Sequence, residues 1–305
     1  MLNSVHLAYD KTMPLRMMPS RHSPFYSPFL ITAGMLEQDG VEVALRLPVE
    51  GESPGALLRN GEVDVTQSAV SSAWTEIEKG AAEIPVHFAQ INQRDGFFLV
   101  GREPDADFTW KKLEGKTLIA DHGLQPLVML RWAAHHKGAD WSRIQVINAG
   151  SPQAMEAAFR SGQADFVHLQ AGVPQQLEHE GAGFVVASVG EGLKPLAFSS
   201  ICASRKFIQG DSFEPFLRGF ARIKQWVQQS PPEDVANSLT ALFPAISMEA
   251  LTAAVASCQK LGCWEGGAAI PPDLYAEAQN AFLWAGGIQR THPYEEVCLT
   301  PPPSM

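Results

Sequence analysis

Two ten-residue stretches of this chain resemble each other at a spacing of 101 residues, and that repeat constrains the fold more than any other feature. Ala56-Leu57-Leu58-Arg59-Asn60-Gly61-Glu62-Val63-Asp64-Val65 parallels Ala157-Ala158-Phe159-Arg160-Ser161-Gly162-Gln163-Ala164-Asp165-Phe166. Each copy reads as the end of a helix, a glycine suited to a left-handed turn, then a strand carrying an aspartate. Two copies of one supersecondary unit predict two similar α/β lobes with a cleft between them, where small-molecule sites commonly lie. At 305 residues the chain is long enough for two compact units.

The periodicity around the repeat supports this reading. Strands are expected at 5–9, 41–47, 63–65, 85–91, 96–100, 117–120, 144–147, 166–169 and 184–188. Helices are expected at 29–38, 55–59, 69–79, 124–136 and 173–180, with Ser151-Pro152 opening another. Ser68 stands where it would cap the helix at 69–79. The prolines Pro14, Pro19, Pro24 and Pro28 predict a loop over 11–27. The expected class is therefore α/β, with two lobes built on mostly parallel central sheets. After Ser204 the pattern turns helical. Residues 211–214 and 230–233 read as capping boxes, further helices are expected at 247–261 and 272–285, and the tail 301–305 reads as disordered.

Composition narrows the function. A net charge of −10 disfavours phosphate backbones and anionic lipid, so neither nucleic acid nor a membrane surface is an expected partner. No run of 18 apolar residues predicts membrane insertion. The first residues, MLNSVHLAYD, lack the features of a signal peptide. The expectation is a periplasmic protein if such a peptide was removed, and a cytoplasmic one if Met1 is the native start. Four cysteines, Cys202, Cys258, Cys263 and Cys298, are too few and too unevenly spaced for a disulfide framework or a zinc site. Neither a metal nor a cofactor is expected, and the chain is expected to be a monomer.

Several segments together resemble one family. Residues 34–43 (GMLEQDGVEV), 58–65 (LRNGEVDV), 113–118 (LEGKTL, with Glu114 where the family usually has Lys), 159–165 (FRSGQAD) and 203–208 (ASRKFI) follow its order and spacing. The chain is similar to type II periplasmic-binding-protein folds, in the family of alkanesulfonate-, nitrate- and thiamine-pyrimidine-precursor-binding components of ABC transporters. That family also includes the fungal thiamine-pyrimidine synthase. The resemblance implies one lobe from residues 1–95 and 200–305, a second from 96–199, and a hinge at the crossovers near Gly96 and Ser199. It also implies an ABC permease as a partner.

In such sheets, ligands sit at the carboxyl ends of the strands, among helix N-termini. That rule nominates Tyr9, Phe25, Tyr26, Gln67, Ser68, Asn92 and Arg94 from the first lobe, and His122, Gly123 and Gln170 from the second. Ser68 suits an oxyanion or a polar ring edge, and equally an ordinary N-cap. The tyrosines and Phe25 suit stacking on a ring or packing within the loop. Arg94 suits a carboxylate or sulfonate, or a solvated surface. His168 and Gln170 share one face of their strand.

These residues point to capture of a small polar or aromatic-polar solute, and the resemblance implies a thiamine-pyrimidine precursor or a sulfonate-type anion. Two alternatives stand beside it: an enzyme on the same fold (a desulfinase, a menaquinone-pathway enzyme or one like the pyrimidine synthase), and a cytoplasmic ligand sensor. The synthase's cofactor-holding Lys and its His would fall at Ser68 and Ser72, and its cysteine-rich CCCFC segment is missing. A desulfinase would need a cleft cysteine beside an activating cation. Cys202, on the expected return strand, has no such neighbour in sequence.

Overall fold

The computed structural model describes residues 14–300 apart from 39 and 50. The strand expected at 5–9, with Tyr9, and the tail at 301–305 lie outside the described residues. Ten strands form two five-stranded sheets. In chain order they are β1 (Leu15–Pro19), β2 (Val43–Leu45), β3 (Val65–Ser68), β4 (Val86–Asn92), β5 (Phe97–Gly101), β6 (Thr117–Ile119), β7 (Gln145–Ile147), β8 (Phe166–Gln170), β9 (Phe184–Ser188) and β10 (Ser199–Ala203).

The sheets repeat one topology. The first runs β2-β1-β3-β10-β4 and the second β7-β6-β8-β5-β9. In each, the reversed strand, β10 or β5, is inserted antiparallel between its neighbours and the other four strands share a direction. The sheets are thus mostly parallel, as expected, with one reversed strand apiece. The two repeat segments enter equivalent strands. One runs from the helix Pro54–Arg59 through Gly61 (φ +70°) to β3, the other from the helix Pro152–Arg160 through Gly162 (φ +87°) to β8.

Most expected elements appear close to their expected places, including the helices Ser27–Gln38 and Leu124–His136 and the strand β9. Ser151 caps its helix by accepting the amide of Ala154 at 3.3 Å.

Three local readings are corrected. The loop predicted over 11–27 contains β1, whose Leu15, Met17 and Met18 are buried. Pro14 and Pro19 bracket that strand rather than interrupt it, and a proline at a strand's end leaves its inner ladder intact. Ser68 ends β3 and is not an N-cap. The cap position of the helix Val70–Glu78 falls on Ala69, which has no side-chain acceptor, and Ser68 Oγ lies 3.0 Å from Ser72 Oγ. The two capping boxes do not form. Ser212 has helical backbone angles and makes no cap bond, and Pro231 occupies the cap of the helix Pro232–Asn237.

The chain passes between the sheets twice, through residues 93–96 and again through 189–198. The two passages lie against each other, with the Leu196 amide donating to Gln93 O at 2.9 Å. A Cβ at Gly190 would fall 2.4 Å from the Asp95 carbonyl oxygen, so the backbones meet with no room for a side chain. Beyond them, the helices Phe213–Gln229, Met248–Leu261 and Pro272–Ala285 complete the molecule, the last two ending in left-handed glycines, Gly262 and Gly286. One continuous apolar cluster joins these helices to both sheets.

Candidate functional site

The loops that leave β1, β3, β6 and β8 at their carboxyl ends converge between the sheets. At their centre, Arg21 from the loop after β1 meets Asp121 from the loop after β6. Arg21 Nη2 donates to Asp121 Oδ1 at 3.0 Å, and Nη1 donates to Oδ2 in a shorter bond. The Gly123 amide adds a second donor to Asp121 Oδ1 at 2.7 Å. Burial alone would raise the Asp121 carboxyl, but the hydrogen bonds and charge of Arg21 outweigh it and hold that carboxyl below its ordinary value.

Further contacts cross in parallel. Gln170 Nε2 donates to the Tyr26 hydroxyl at 3.0 Å, Ser71 Oγ to Gln125 Oε1 at 2.7 Å, and Ser23 Oγ to the Ala171 carbonyl at 3.1 Å. Burial pushes the Tyr26 phenol up to about 12 against the pull of Arg21.

Two cavities flank the clasp, and Ser20, Arg21 and Phe97 line both. The smaller, about 270 Å³, is walled by hydroxyls and amides, among them Gln67, Ser68, Ser72 and Gln125. Ala69, Ser71 and Ser72 at the start of the helix Val70–Glu78 and Leu124, Gln125 and Pro126 at the start of Leu124–His136 line it, and neither helix has a side-chain cap bond. The larger, about 450 Å³, has Asp121, Glu52, Gln170 and a stacked pair of rings, His22 on Phe243 at 4.3 Å.

A bigger cavity of about 610 Å³ lies between the helices Ser27–Gln38 and Phe213–Gln229, beside Trp226 and Leu242. None of the residues nominated from the strand ends lines it.

Of the nominated residues, Tyr26, Gln67, Ser68 and Gln170 line these cavities. Gln67 is buried, and its Oε1 accepts the amide and hydroxyl of Ser20 at 2.9 and 2.7 Å. Gly123 lies beside the clasp, where a Cβ would sit 2.5 Å from Arg21 Nη2.

The remaining nominees among the described residues are placed elsewhere. Phe25 is fully buried against Phe198 and fills the space over Gly96. Asn92 spans the passages between sheets, donating to Phe25 O at 3.0 Å and accepting from Ser199 Oγ. Arg94 donates to the carbonyls of Gly190 and Leu193 at 3.2 and 2.8 Å, which ties the passages together. The exposed His122 places Nδ1 2.8 Å from Ala120 O. His168 is fully buried, stacked on Phe97 at 4.6 Å, and burial lowers its pKa to about 3.

Sequence reasoning missed Arg21, Asp121 and Gln125. Arg21 lay inside the stretch read as a proline-broken loop. Asp121 directly precedes the nominated His122, so the strand-end rule overshot it by one residue. Nothing local distinguishes Gln125 from a surface residue of its helix.

All four cysteines are buried, none lines either cavity, and burial pushes the Cys202 thiol far up. Among the described residues, no group of three or more His, Cys, Asp or Glu side chains is placed to hold a metal ion.

The profile of NMT1/THI5-like proteins matches residues 22–234, which include both repeat copies and Asp121 and begin one residue after Arg21. The chain belongs to the NMT1/THI5-like family. Among this NMT1/THI5-like chain's relatives, "Putative binding protein YtlA" of Bacillus subtilis (strain 168) is 27% identical over 225 residues, covering 72% of this chain and 67% of that protein. The Escherichia coli periplasmic aliphatic sulphonate binding protein SsuA shares the fold at a TM-score of 0.71 and 15% identity, covering 95% of this chain and 92% of that one. The Xanthomonas axonopodis alkanesulfonate-binding protein SsuA, solved with MOPS, has a TM-score of 0.66 and 16% identity over 93% of this chain and 96% of its own. Among the described residues, no helix of this family member is long and apolar enough to cross a membrane.

Proposed function

We propose that this chain is a solute-binding component of an ABC importer, closing two lobes over one small solute. The lobes would comprise residues 1–95 with 200–305, and 96–199. The passages near Gly96 and Ser199 would serve as the hinge, and a permease would take the released solute. The observation that carries this reading is the Arg21–Asp121 clasp between facing strand ends, with a cavity on each side. Closure from two sides buries a ligand and lets Arg21, hydroxyls and helix amides satisfy its polar atoms.

A sulfonate-type or other oxyanion head suits the smaller cavity, and the proteins of the same fold whose names specify sulfonates support that class. A flat polar ring, such as a thiamine-pyrimidine precursor, is favoured by one separate feature, the stacked His22 and Phe243 wall of the larger cavity. As an importer component the protein would act outside the cytoplasmic membrane, as a monomer and without a cofactor.

Native mass spectrometry of freshly purified protein, followed by denaturing release of any bound molecule, tests this. A stoichiometric small molecule is the expected result and names the class. A bare chain that also shows no melting shift across a panel of sulfonates, carboxylates and aminopyrimidines would overturn it.

A further inference from the structure

The two cavities beside the clasp differ in charge. Arg21 is the one charged side chain among the described residues lining the smaller cavity, where it stands among hydroxyls, amides and two open helix N-termini. The larger shares Arg21 and adds two carboxylates, Asp121 and Glu52. One oxygen of Glu52 accepts from Arg46, while the other, Oε2, is shielded from solvent with no hydrogen-bond partner. The lining of the smaller cavity is thus positive on balance, and that of the larger holds one more carboxylate than arginine.

Neither charge of the clasp is easily surrendered alone. The Asp121 side chain is 7% exposed, and Arg21 supplies the opposite charge bonded to it. A simple anion that drew Arg21 away would leave this carboxylate buried with the Gly123 amide as its remaining bonded donor. An uncompensated buried charge is strongly unfavourable. A solute that brings its own cation removes the penalty, because each half of the clasp then exchanges an internal partner for a ligand charge.

We infer that the cleft selects zwitterions, with an anionic group held by Arg21 at the smaller cavity and an ammonium or amidinium group held by Asp121 and Glu52 at the larger. The inference rests on the capture reading of this same cleft and specifies the chemistry of what is captured.

Calorimetric titration of the whole chain with taurine, ethanesulfonate and ethylamine tests it. Taurine should bind at least about tenfold more tightly than ethanesulfonate, a difference of about 1.4 kcal/mol, and ethylamine should not bind measurably. In Asp121→Asn, verified as folded by circular dichroism, that preference should shrink because taurine loses its cation partner. Glu52→Gln, a change at the partly exposed rim, provides the same comparison if Asp121→Asn does not fold. It should weaken taurine more than ethanesulfonate.

Equal affinity of the wild-type protein for taurine and ethanesulfonate would overturn the zwitterion inference while leaving anion capture standing. So would an undiminished taurine preference in the folded variant. Binding of none of the three would overturn the inference and the anionic-head reading together.

Discussion

Asp64 and Asp165 do the same work in the two halves of the molecule. Asp64 Oδ2 accepts the amide of Arg16 at 2.9 Å, and Asp165 Oδ2 accepts the amide of Thr117 at 2.8 Å. Each aspartate thus pins the neighbouring parallel strand, β1 or β6, to the strand it precedes itself, β3 or β8. Each also binds a side chain: Asp64 holds the Arg16 guanidinium, and Asp165 accepts from the Thr117 hydroxyl at 2.8 Å. The sequence repeat is therefore a repeated joint, and its aspartate has a structural role in both copies.

Asp165→Ala should lower stability by about 1–3 kcal/mol at neutral pH, because it leaves partly buried donors unpaired. The hydrogen bond from the Thr117 amide is the main reason the Asp165 carboxyl is held below its ordinary value. Its folded pKa lies below the unfolded one, so its contribution is present above the unfolded value and fades as pH falls through the folded one. Urea midpoints of variant and wild type should therefore converge in acid. Midpoints that stay equally separated would mean the carboxylate charge is not what matters.

Gly96→Ala should destabilise the fold by about 1–3 kcal/mol through overpacking. Its Cβ would fall 2.2 Å from Phe25 Cδ2 and 2.3 Å from Cε2, with Phe25 itself fully buried. Measured in a Phe25→Leu background, the same substitution should be less harmful. An unchanged penalty there would show that the ring is not the obstacle.

Asp95→Asn should stabilise the protein in mildly alkaline solution. Asp95 is buried, its Oδ1 accepts the Phe97 amide at 2.7 Å, and its Oδ2 has no partner. Burial raises its pKa to about 8. With the folded value above the unfolded one, the native state holds the extra proton, and stability declines as pH rises from about 4 to 8. Asparagine keeps the acceptor and carries no charge. Its melting temperature should exceed wild type by several degrees at pH 9 and match it near pH 4. No gain at high pH would sink the argument.

Ser68→Lys places a long cation in the smaller cavity, between Gln67 and the first turn of the helix Val70–Glu78. Ser68 is partly exposed at the end of its strand, so the fold should be retained. Solute-induced melting shifts should vanish while the far-ultraviolet circular dichroism spectrum is unchanged. Retained affinity would remove Ser68 from the site.

Tyr9 lies outside the described residues; of the other nine nominated residues four line the cavities, and the reasons for the rest are physical. A strand-end rule locates positions along the chain but does not say which polar groups are already engaged. Arg94 and Asn92 lie where a ligand residue would be expected, yet their donors are taken by carbonyls of distant segments. Phe25 is an aromatic in a loop by sequence and a core residue in space.

Local chemistry alone determined the alternation of strands and helices, the serine cap at Ser151, the left-handed glycines that end helices, and the repeat that announced two similar lobes. These depend on near neighbours along the chain, through backbone angles and one-face burial. Tertiary structure decided which strands pair, including the reversed β5 and β10, and admitted β1 as a strand despite its flanking prolines. It also brought Arg21 to Asp121, a contact between residues that are distant in sequence and adjacent only once both sheets have formed. Charge pairing and burial depend on that three-dimensional adjacency, which no local periodicity encodes.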